Sequence, residues 1–332
     1  MIAPRARTIG AAASLAALAV AMSARLLVVR VAGEGLTVGW PGGTIGDIRL
    51  HSCAAGLAAG AALGGAGALL QALLRNPLAS PFVLGVTGGA GCGVALAALA
   101  AALAGAAAPH GAALTLPATV GAAAALGAVL LLARRAGGTD PTMLILGGVI
   151  VGAIAAALST VAESLLPPDR RGILVGWMHG RIPDSPDPGA LVACTVGAAA
   201  LAAVGLRFGR WIDASTLSDD EARSVGVPLG GLRTGAFALC GFATAATVVL
   251  CGPIAFIGLL APHCARALVG PTARWLVPAS CVLGGALLVA ADALRQVIDV
   301  GGGRLPLGAI TAVAGGVAFL VLLRRTASGW SR

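Results

Sequence analysis

The chain of 332 residues contains no Lys and no Tyr. The phosphate-binding loop of P-loop ATPases needs a Lys, so this chain cannot form one. The His-Glu-x-x-His pattern of zinc proteases and the Gly-x-Ser-x-Gly turn of hydrolases are missing as well. We therefore expect no catalytic residue and no bound cofactor in this chain, which is predicted not to be an enzyme.

Charged residues make up only 11% of the chain, and aromatic residues only 3%. A soluble domain carries about a quarter charged residues, because its surface must be solvated by water. This chain has too few for such a surface. An outer-membrane barrel is also excluded, because its aromatic girdles and its two-residue alternation are both missing.

Hydrophobic residues make up 58% of the chain, and the mean hydropathy is +0.95. Apolar stretches of about 20 residues, the length that crosses a hydrocarbon core of about 30 Å, recur throughout. They predict an all-α polytopic membrane protein with about ten transmembrane helices. The predicted spans are 8–30, 48–74, 82–105, 112–133, 142–166, 189–206, 231–251, 255–269, 275–295 and 305–323.

The net charge of +9 comes from 22 basic residues, all of them Arg. Most of these Arg fall in segments that the helix order places on one side of the membrane, together with both termini. Excess Arg marks the cytoplasmic side of bacterial membrane proteins. The charge therefore predicts topology, with both termini cytoplasmic in the inner membrane, and not a nucleic-acid partner.

The cysteines and the glycines of the second span are predicted to serve packing. The seven Cys are scattered singly and the four His lie in different segments, so neither type forms a spaced metal-ligand set. Gly56, Gly60 and Gly64 share one face of the second span and predict a seam where another helix packs closely.

Two polar stretches interrupt the hydrophobic pattern. Residues 167–188 are predicted to form a Pro-rich loop on the outer side. Residues 207–230 lie on the predicted inner side, where Asp213, Ser215 or Ser218 could cap a short amphipathic helix that starts with acidic residues. A solvated connector is the alternative for this second stretch.

Three segments resemble the FecCD family, the permeases of binding-protein-dependent importers for ferric siderophores, haem and cobalamin. They are Gln71 to Pro81 (QALLRNPLASP), Leu217 to Val227 (LSDDEARSVGV) and Gly252 to Arg266 (GPIAFIGLLAPHCAR). These segments, with weaker matches around them, occur in the family's order over about residues 45–325.

The resemblance implies a type II ABC importer permease, a single transmembrane domain over 1–332 in which helices 2–5 and 7–10 form an inverted repeat. It implies a homodimer embedded in lipid, two P-loop ATPase subunits in the cytoplasm, and a periplasmic or lipid-anchored substrate-binding protein outside. ATP and Mg would be used by the ATPase partner.

Carried over residue by residue, the resemblance implies three working regions. The predicted cytoplasmic gates are Asn76, Pro77, Leu78, Thr139, Asp140, Pro141 and Thr142. The predicted cytoplasmic coupling segment is 207–230, in which the residues expected to contact the ATPase are Leu217, Asp219, Asp220, Glu221, Ala222, Arg223 and Gly226.

The predicted docking residues for the binding protein are Arg49 and Arg295. Here the sequence departs from the family, which often has Arg-Leu-Pro-Arg where this chain has Arg49-Leu50-His51-Ser52. Near the ninth helix the family shows Ala-Asp-x-x-Ala-Arg, whereas Arg295 comes one position early. Charge pairs at such positions would steer the encounter and fix its register.

Several alternatives remain at this stage. A ferric siderophore is the first expectation for the cargo, with haem or cobalamin as alternatives, since His51 and His179 fall near the predicted outer face and imidazole ligates haem iron. An ion-coupled secondary transporter would need acids deep in the membrane. Glu163 and Asp292 instead lie toward outer helix ends, where a snorkelling or paired structural role is expected. A non-transporting membrane scaffold is the third possibility.

Overall fold

The computed structural model describes residues 4–31, 35–135, 138–298 and 305–327. Over these ranges the chain is built almost entirely of helices. The helices are α1 (Pro4–Leu27), α2 (Gly43–Leu73), α3 (Val86–Leu103), α4 (Thr115–Ala133), α5 (Pro141–Leu165), α6 (Pro168–Met178), α7 (Pro188–Ala214), α8 (Asp219–Ser224), α9 (Leu229–Cys251), α10 (Ile257–Val269), α11 (Ala273–Val297) and α12 (Leu307–Ala327).

Two short antiparallel hairpins join helices. Strand β1 (Val28–Val31) pairs with β2 (Gly35–Val38) between α1 and α2. Strand β3 (Arg134–Arg135) pairs with β4 (Gly138–Thr139) between α4 and α5. Single-turn 3₁₀ helices at Pro81–Leu84 and Gly111–Leu114 precede α3 and α4.

Eight helices in the described part of the chain are long and apolar enough to cross a membrane, and two shorter apolar helices, Ile257–Val269 and Leu307–Leu320, accompany them. The prediction of an all-α polytopic membrane protein is confirmed, and the ten predicted spans each coincide with one of these helices. Helix α2 has 31 residues. At 1.5 Å per residue it extends about 46 Å, longer than the hydrocarbon core.

The loop predicted over 167–188 is wrong in its first half, where the chain forms α6. Pro168 occupies the first helical turn, in which the missing N–H has no partner to lose. Asp169 follows in the same turn, where the helix dipole favours a carboxylate. The local N-terminal signals of a helix therefore prevail over the high Pro content of the stretch.

Helix α2 lies at the centre of the bundle and contacts α7, α9, α10 and α11. Its glycines allow this proximity: a Cβ at Gly60 would overlap the carbonyl of Gly284, and one at Gly64 would overlap the carbonyl of Ser280, both on α11. Close backbone approach of this kind is how helices associate in lipid, where no hydrophobic effect drives them together. The predicted small-residue seam is confirmed, with α11 as its partner.

Irregular backbone occurs at two places inside the bundle. The chain leaves α2 and turns through residues 74–85 before α3, and it turns again through 252–256 before α10. The first of these turns packs on the start of α10, since a Cβ at Gly258 would overlap Pro81 and the Leu63 carbonyl of α2. Non-helical backbone at membrane depth is tolerated only where protein or a cavity surrounds it, as here.

Candidate functional site

The predicted coupling segment contains a short helix, α8, with a complete capping box. The Ser218 hydroxyl caps the Glu221 N–H, and the Glu221 carboxylate accepts from the Ser218 N–H at 3.0 Å. Of the three predicted caps, Ser218 is therefore the one used for α8. Asp213 serves elsewhere, because its Oδ1 accepts a 2.8 Å hydrogen bond from the N–H of Ala273 at the start of α11.

Asp219 binds two arginines from other helices. Arg233 of α9 donates two hydrogen bonds of 2.7 Å to its carboxylate, and Arg75 donates a third of 2.7 Å. The hydrogen bonds from Arg233, followed by those from Arg75, hold the pKa of the Asp219 carboxyl well below its usual range. Asp219 therefore stays ionised throughout the physiological range and fixes the first turn of α8 to the bundle.

Arg75 joins α8 to the first predicted gate. Besides Asp219 it contacts the carbonyl of Ser215 through Nε at 3.0 Å and Nη2 at 2.9 Å. Its backbone has φ +50°, a left-handed conformation that ends α2 and directs the chain into the gate turn. We call Arg75, Ser215 and Asp219 the α2–α8 link.

The first gate turn is held by its own hydrogen bonds. Asn76 Oδ1 accepts from the Leu78 N–H at 2.9 Å, and the Asn76 carbonyl accepts from the Ala79 N–H at 3.0 Å. Pro77 lies between them and fixes its own φ. These bonds make the turn a compact unit directly after Arg75.

The second predicted gate turn forms the start of α5. Asp140 Oδ1 accepts from the N–H groups of Thr142 at 2.8 Å and Met143 at 3.2 Å, with Pro141 at the first helical position. Thr139 ends β4 just before this cap. The two gate regions are connected through the body of α5, because Gly148 packs against the backbone of the 3₁₀ turn that follows the first gate.

The predicted ATPase-contacting residues divide into exposed and buried groups. The Asp220 side chain is 97% exposed, and Leu217 and Arg223 are exposed beside it. Ala222 is fully buried against Val227 and Leu229, so it holds α8 in place rather than meeting a partner. Gly226 has φ +81°, which a side chain would strain.

The two predicted docking arginines differ in position. Arg49 is half-buried and donates to the carbonyls of Leu26 and Val28 at 3.2 and 2.9 Å, close to the β1–β2 hairpin. Arg295 is buried, with its side chain 8% exposed, and its Nη2 lies 2.7 Å from Asp292. A docking surface needs an exposed guanidinium, so the structure gives Arg295 a different role from the predicted one.

That role is a buried ion cluster joining α1 to α11. Arg25 of α1 and Arg295 both contact the Asp292 carboxylate, which is 1% exposed. The paired structural role expected for Asp292 is confirmed. Because Asp292 and Arg295 lie one helical turn apart, their pairing is local, and only Arg25 comes from a distant part of the chain.

Residues 8–325 match the FecCD transport family over nearly the whole chain. The chain belongs to the FecCD transport family. It is 34% identical to the cobalamin import system permease protein BtuC of Halobacterium salinarum, over 64% of this chain and 59% of that protein. It is 33% identical to the Fe(3+)-citrate import system permease protein YfmD of Bacillus subtilis, over 61% of this chain and 60% of that one.

The matched stretches thus span about 60% of the length of these two relatives. A solved structure described as an inward-facing conformation of an ABC transporter, assigned to the metal-chelate type, superimposes with a TM-score of 0.78. The superposition covers 94% of this chain and 97% of the other, at 24% identity. This likeness establishes that the FecCD chain has the fold of that transporter.

Sequence reasoning on this FecCD chain missed Arg75 and Arg233 as site residues. Arg75 lies inside the family segment next to Asn76, so its place beside the first predicted gate could have marked it as a site residue. Arg233 lies 14 residues after Asp219 in the predicted seventh span, where nothing in the sequence indicates which acid it meets. The Nε of Arg233 is buried without a hydrogen-bond partner in the described part of the chain.

Most cysteines of this FecCD chain follow the packing prediction. Six of the seven Cys are buried as free thiols, and Cys264 is exposed. His51 and His179 are exposed, and each has its Nδ1 against the carbonyl four residues earlier, at 2.7 and 2.6 Å. Among the described residues no three His, Cys, Asp or Glu come together as metal ligands.

Proposed function

We propose that this chain is the membrane-spanning permease of an ATP-driven importer that carries an iron chelate, with a ferric siderophore as the first candidate. The observation that carries the proposal is the α2–α8 link. A short exposed helix, suited to an external partner, is joined by Arg75 to the turn at Asn76–Leu78. Such a connection is needed by a permease that receives motion at its surface and opens a gate.

The proposed mechanism uses α8 as the contact to the ATPase. Closure of two ATPase subunits on ATP moves α8, and the α2–α8 link carries the movement to the end of α2 and to the first gate turn. The permease has an inward-open and an outward-open form, and the ATP-bound ATPase binds one of them more tightly. The difference between these two binding free energies sets how far the equilibrium between the forms shifts. ATP and Mg are used by the partner, and this chain contributes no catalytic group.

The proposed assembly is a homodimer in the bacterial inner membrane, with both termini and α8 in the cytoplasm. A periplasmic or lipid-anchored binding protein delivers the cargo at the opposite face, where Arg49 lies. Helices 2–5 and 7–10 of the predicted order form an inverted repeat. In support, the irregular turns at 74–85 and 252–256 each follow the first helix of their half and precede the second.

The cargo is proposed on the family alone. The two relatives compared above are named for cobalamin and for Fe(3+)-citrate, and their identities of 34% and 33% are nearly equal. Sequence identity therefore does not separate the candidates. Haem and cobalamin are the alternatives to a ferric siderophore, and exposed His51 and His179 are the side chains that a haem cargo would meet.

The test is affinity purification of the tagged chain from its native membrane in mild detergent, followed by mass spectrometry. We expect a separate P-loop ATPase at one copy per permease. Asp220→Lys should release this ATPase, whereas Asp169→Lys, at the matched first-turn position of α6, should retain it. Recovery of the intact chain without an ATPase, even after gentle crosslinking, would overturn the proposal.

Asp220 is a better target than Glu221 for this test. Both carboxylates belong to the predicted ATPase-contacting set, but Glu221 closes the capping box of α8. Reversing its charge would disrupt the helix itself, at a cost of about 1 kcal/mol for a lost cap. Asp220 only meets Arg223 at 3.5 Å, so its reversal changes the surface and leaves the fold of α8 intact.

A further inference from the structure

A cavity of about 400 Å³ opens at the end of the bundle where α2 and α7 finish. It is enclosed by these two helices together with α10 and the start of α11. Its floor is apolar and includes Ala68, which lies seven residues before Arg75 along α2. At 1.5 Å per residue, Ala68 lies about 10 Å further along α2 from its end than Arg75 does.

The mouth of the cavity is polar, with Gln71, Arg75, Arg266 and Asp213 on its wall. A cavity that is apolar at depth and carries charged side chains at its mouth matches an amphiphile, with a chain below and a charged group above. A water-soluble anion would leave the apolar floor, formed by Ala68, Leu276 and others, without a partner.

Arg266 is the arginine on this wall that forms no ion pair within the described chain. Its Nη2 donates to the Gln71 amide oxygen at 3.1 Å, and no acid of the described chain forms an ion pair with it. Arg75 differs, because Asp219 neutralises it. Asp213 is the carboxylate on this wall, and its Oδ1 accepts a 2.8 Å hydrogen bond from the N–H of Ala273 and so faces the start of α11.

The ends of α7 and α11 that contribute to the cavity also carry, next to its lining residues, the side chains typical of the membrane–water interface. Arg274 lies 5.8 Å from the ring of Trp275 at the start of α11. On the neighbouring end of α7, Phe208 stacks on Trp211 with ring centroids 5.4 Å apart. The two Trp are 41% and 43% exposed. Trp and Arg concentrate at the level of lipid headgroups, so the mouth opens at that level.

We propose that this cavity binds one anionic phospholipid, with the phosphate against Arg266 and acyl-chain carbons on the Ala68 floor. Basic pockets between the ends of transmembrane helices are sites at which lipid headgroups bind. The site lies beside the α2–α8 link, because Arg75 belongs to both. The inference depends on the cavity alone and does not require that the chain transports anything.

The experiment is native mass spectrometry of the full chain, with any chains that co-purify, after exchange into detergent containing phosphatidylglycerol or phosphatidylcholine. We expect one phosphatidylglycerol retained per chain, and Arg266→Gln to weaken its retention about fivefold, the factor for one interfacial Arg. Arg266→Lys keeps the charge and should retain most of the lipid. Arg170→Gln, at the opposite end of the bundle, is the matched control and should bind as the unaltered chain does.

Folding of each variant is checked by its thermal unfolding midpoint. If Arg266→Gln does not fold, the Arg266→Lys variant and competition by inorganic phosphate still decide the question. Equal retention of the two lipids would overturn the proposal, as would equal loss in Arg266→Gln and Arg170→Gln. The proposal would also be overturned if inorganic phosphate bound at Arg266 and phosphatidylglycerol did not displace it. A crosslink from the cavity mouth to a partner ATPase at full occupancy would overturn it as well.

Discussion

Arg75 and Asp219 are 144 residues apart in the chain, and Nη2 of the arginine lies 2.7 Å from Oδ1 of the aspartate. The pair joins the turn that directly follows the central helix to the first turn of a surface helix. Both side chains are about one third exposed, so solvent screens their attraction. The link gains strength from its neighbours, because Arg233, at 9% exposure, holds the same carboxylate.

Asp219→Asn is expected to weaken transport more than it weakens folding. The variant keeps the shape of the side chain but loses its charge-assisted bonds to Arg75 and Arg233, which should lower the free energy of unfolding by about 1–2 kcal/mol. Uptake should fall about tenfold, the factor that 1.4 kcal/mol gives in an equilibrium. Uptake by membrane vesicles, beside a thermal unfolding curve, measures the two effects separately.

Asp169→Asn is the control for this variant, since Asp169 is an exposed first-turn residue of α6 that takes no part in the link. It should leave the unfolding midpoint unchanged. If Asp219→Asn transported normally, the α2–α8 link would have no part in coupling, even with the ATPase still bound.

The stabilising effect of Asp219 should depend on pH in one direction. Its pKa is lowered in the folded chain relative to about 3.9 in an unfolded chain. The contribution of the Asp219 carboxylate to the free energy of unfolding is therefore complete above the pKa that this group has in the unfolded chain. It is lost as the pH falls through the lower pKa of the folded chain. The difference in unfolding midpoint between the unaltered chain and Asp219→Asn should be constant from about pH 5 to 8 and should shrink below about pH 4. A difference that grew on acidification would contradict the ion-pair assignment.

Gly64→Val is expected to disrupt the α2–α11 seam. Its Cβ would overlap the Ser280 carbonyl, and backbone on both sides leaves no room for adjustment. Overpacking of this kind typically destabilises by about 1–3 kcal/mol. Gly127→Ala in α4 is the matched control, because nothing lies within 4 Å of its Cβ position. Size-exclusion profiles after heating should show loss of the Gly64→Val chain and survival of the control.

Asp292→Asn should be among the most damaging single changes in the chain. It would leave the buried guanidiniums of Arg25 and Arg295 without their shared carboxylate, at an expected cost of about 3–5 kcal/mol.

The proposed docking residue Arg49 provides the comparison. Arg49→Gln should fold normally and lower the association rate of the binding protein, which surface-plasmon resonance measures. Normal folding of Asp292→Asn would show that the cluster is dispensable.

Much of the fold follows from the sequence because it depends on local patterns. Ten apolar stretches of membrane-spanning length predict ten helices, and three glycines at four-residue spacing predict a packing seam. Ser218 and Glu221 have the spacing of a capping box, and this spacing predicts the residue at which α8 begins. Each of these signals needs only a few neighbouring residues.

The remaining features depend on which helices become neighbours. Nothing near Asp219 in the sequence indicates that Arg75 will meet it. Arg295 was predicted at the surface from its place in a family segment, and its burial depends on Arg25 and α1 packing against α11. The cavity at Arg266 likewise forms only where four elements converge. Such contacts are properties of the assembled bundle.

The most direct test reconstitutes the purified permease, with its co-purifying ATPase and binding protein, in liposomes and measures uptake of a labelled ferric siderophore. ATP supplied on the ATPase side should drive accumulation, and Asp219→Asn should keep ATP hydrolysis while losing about nine tenths of the uptake. Haem and cobalamin are measured in parallel to identify the cargo. Accumulation of all three cargoes that was independent of ATP, or equally fast in Asp219→Asn, would contradict the proposed coupling.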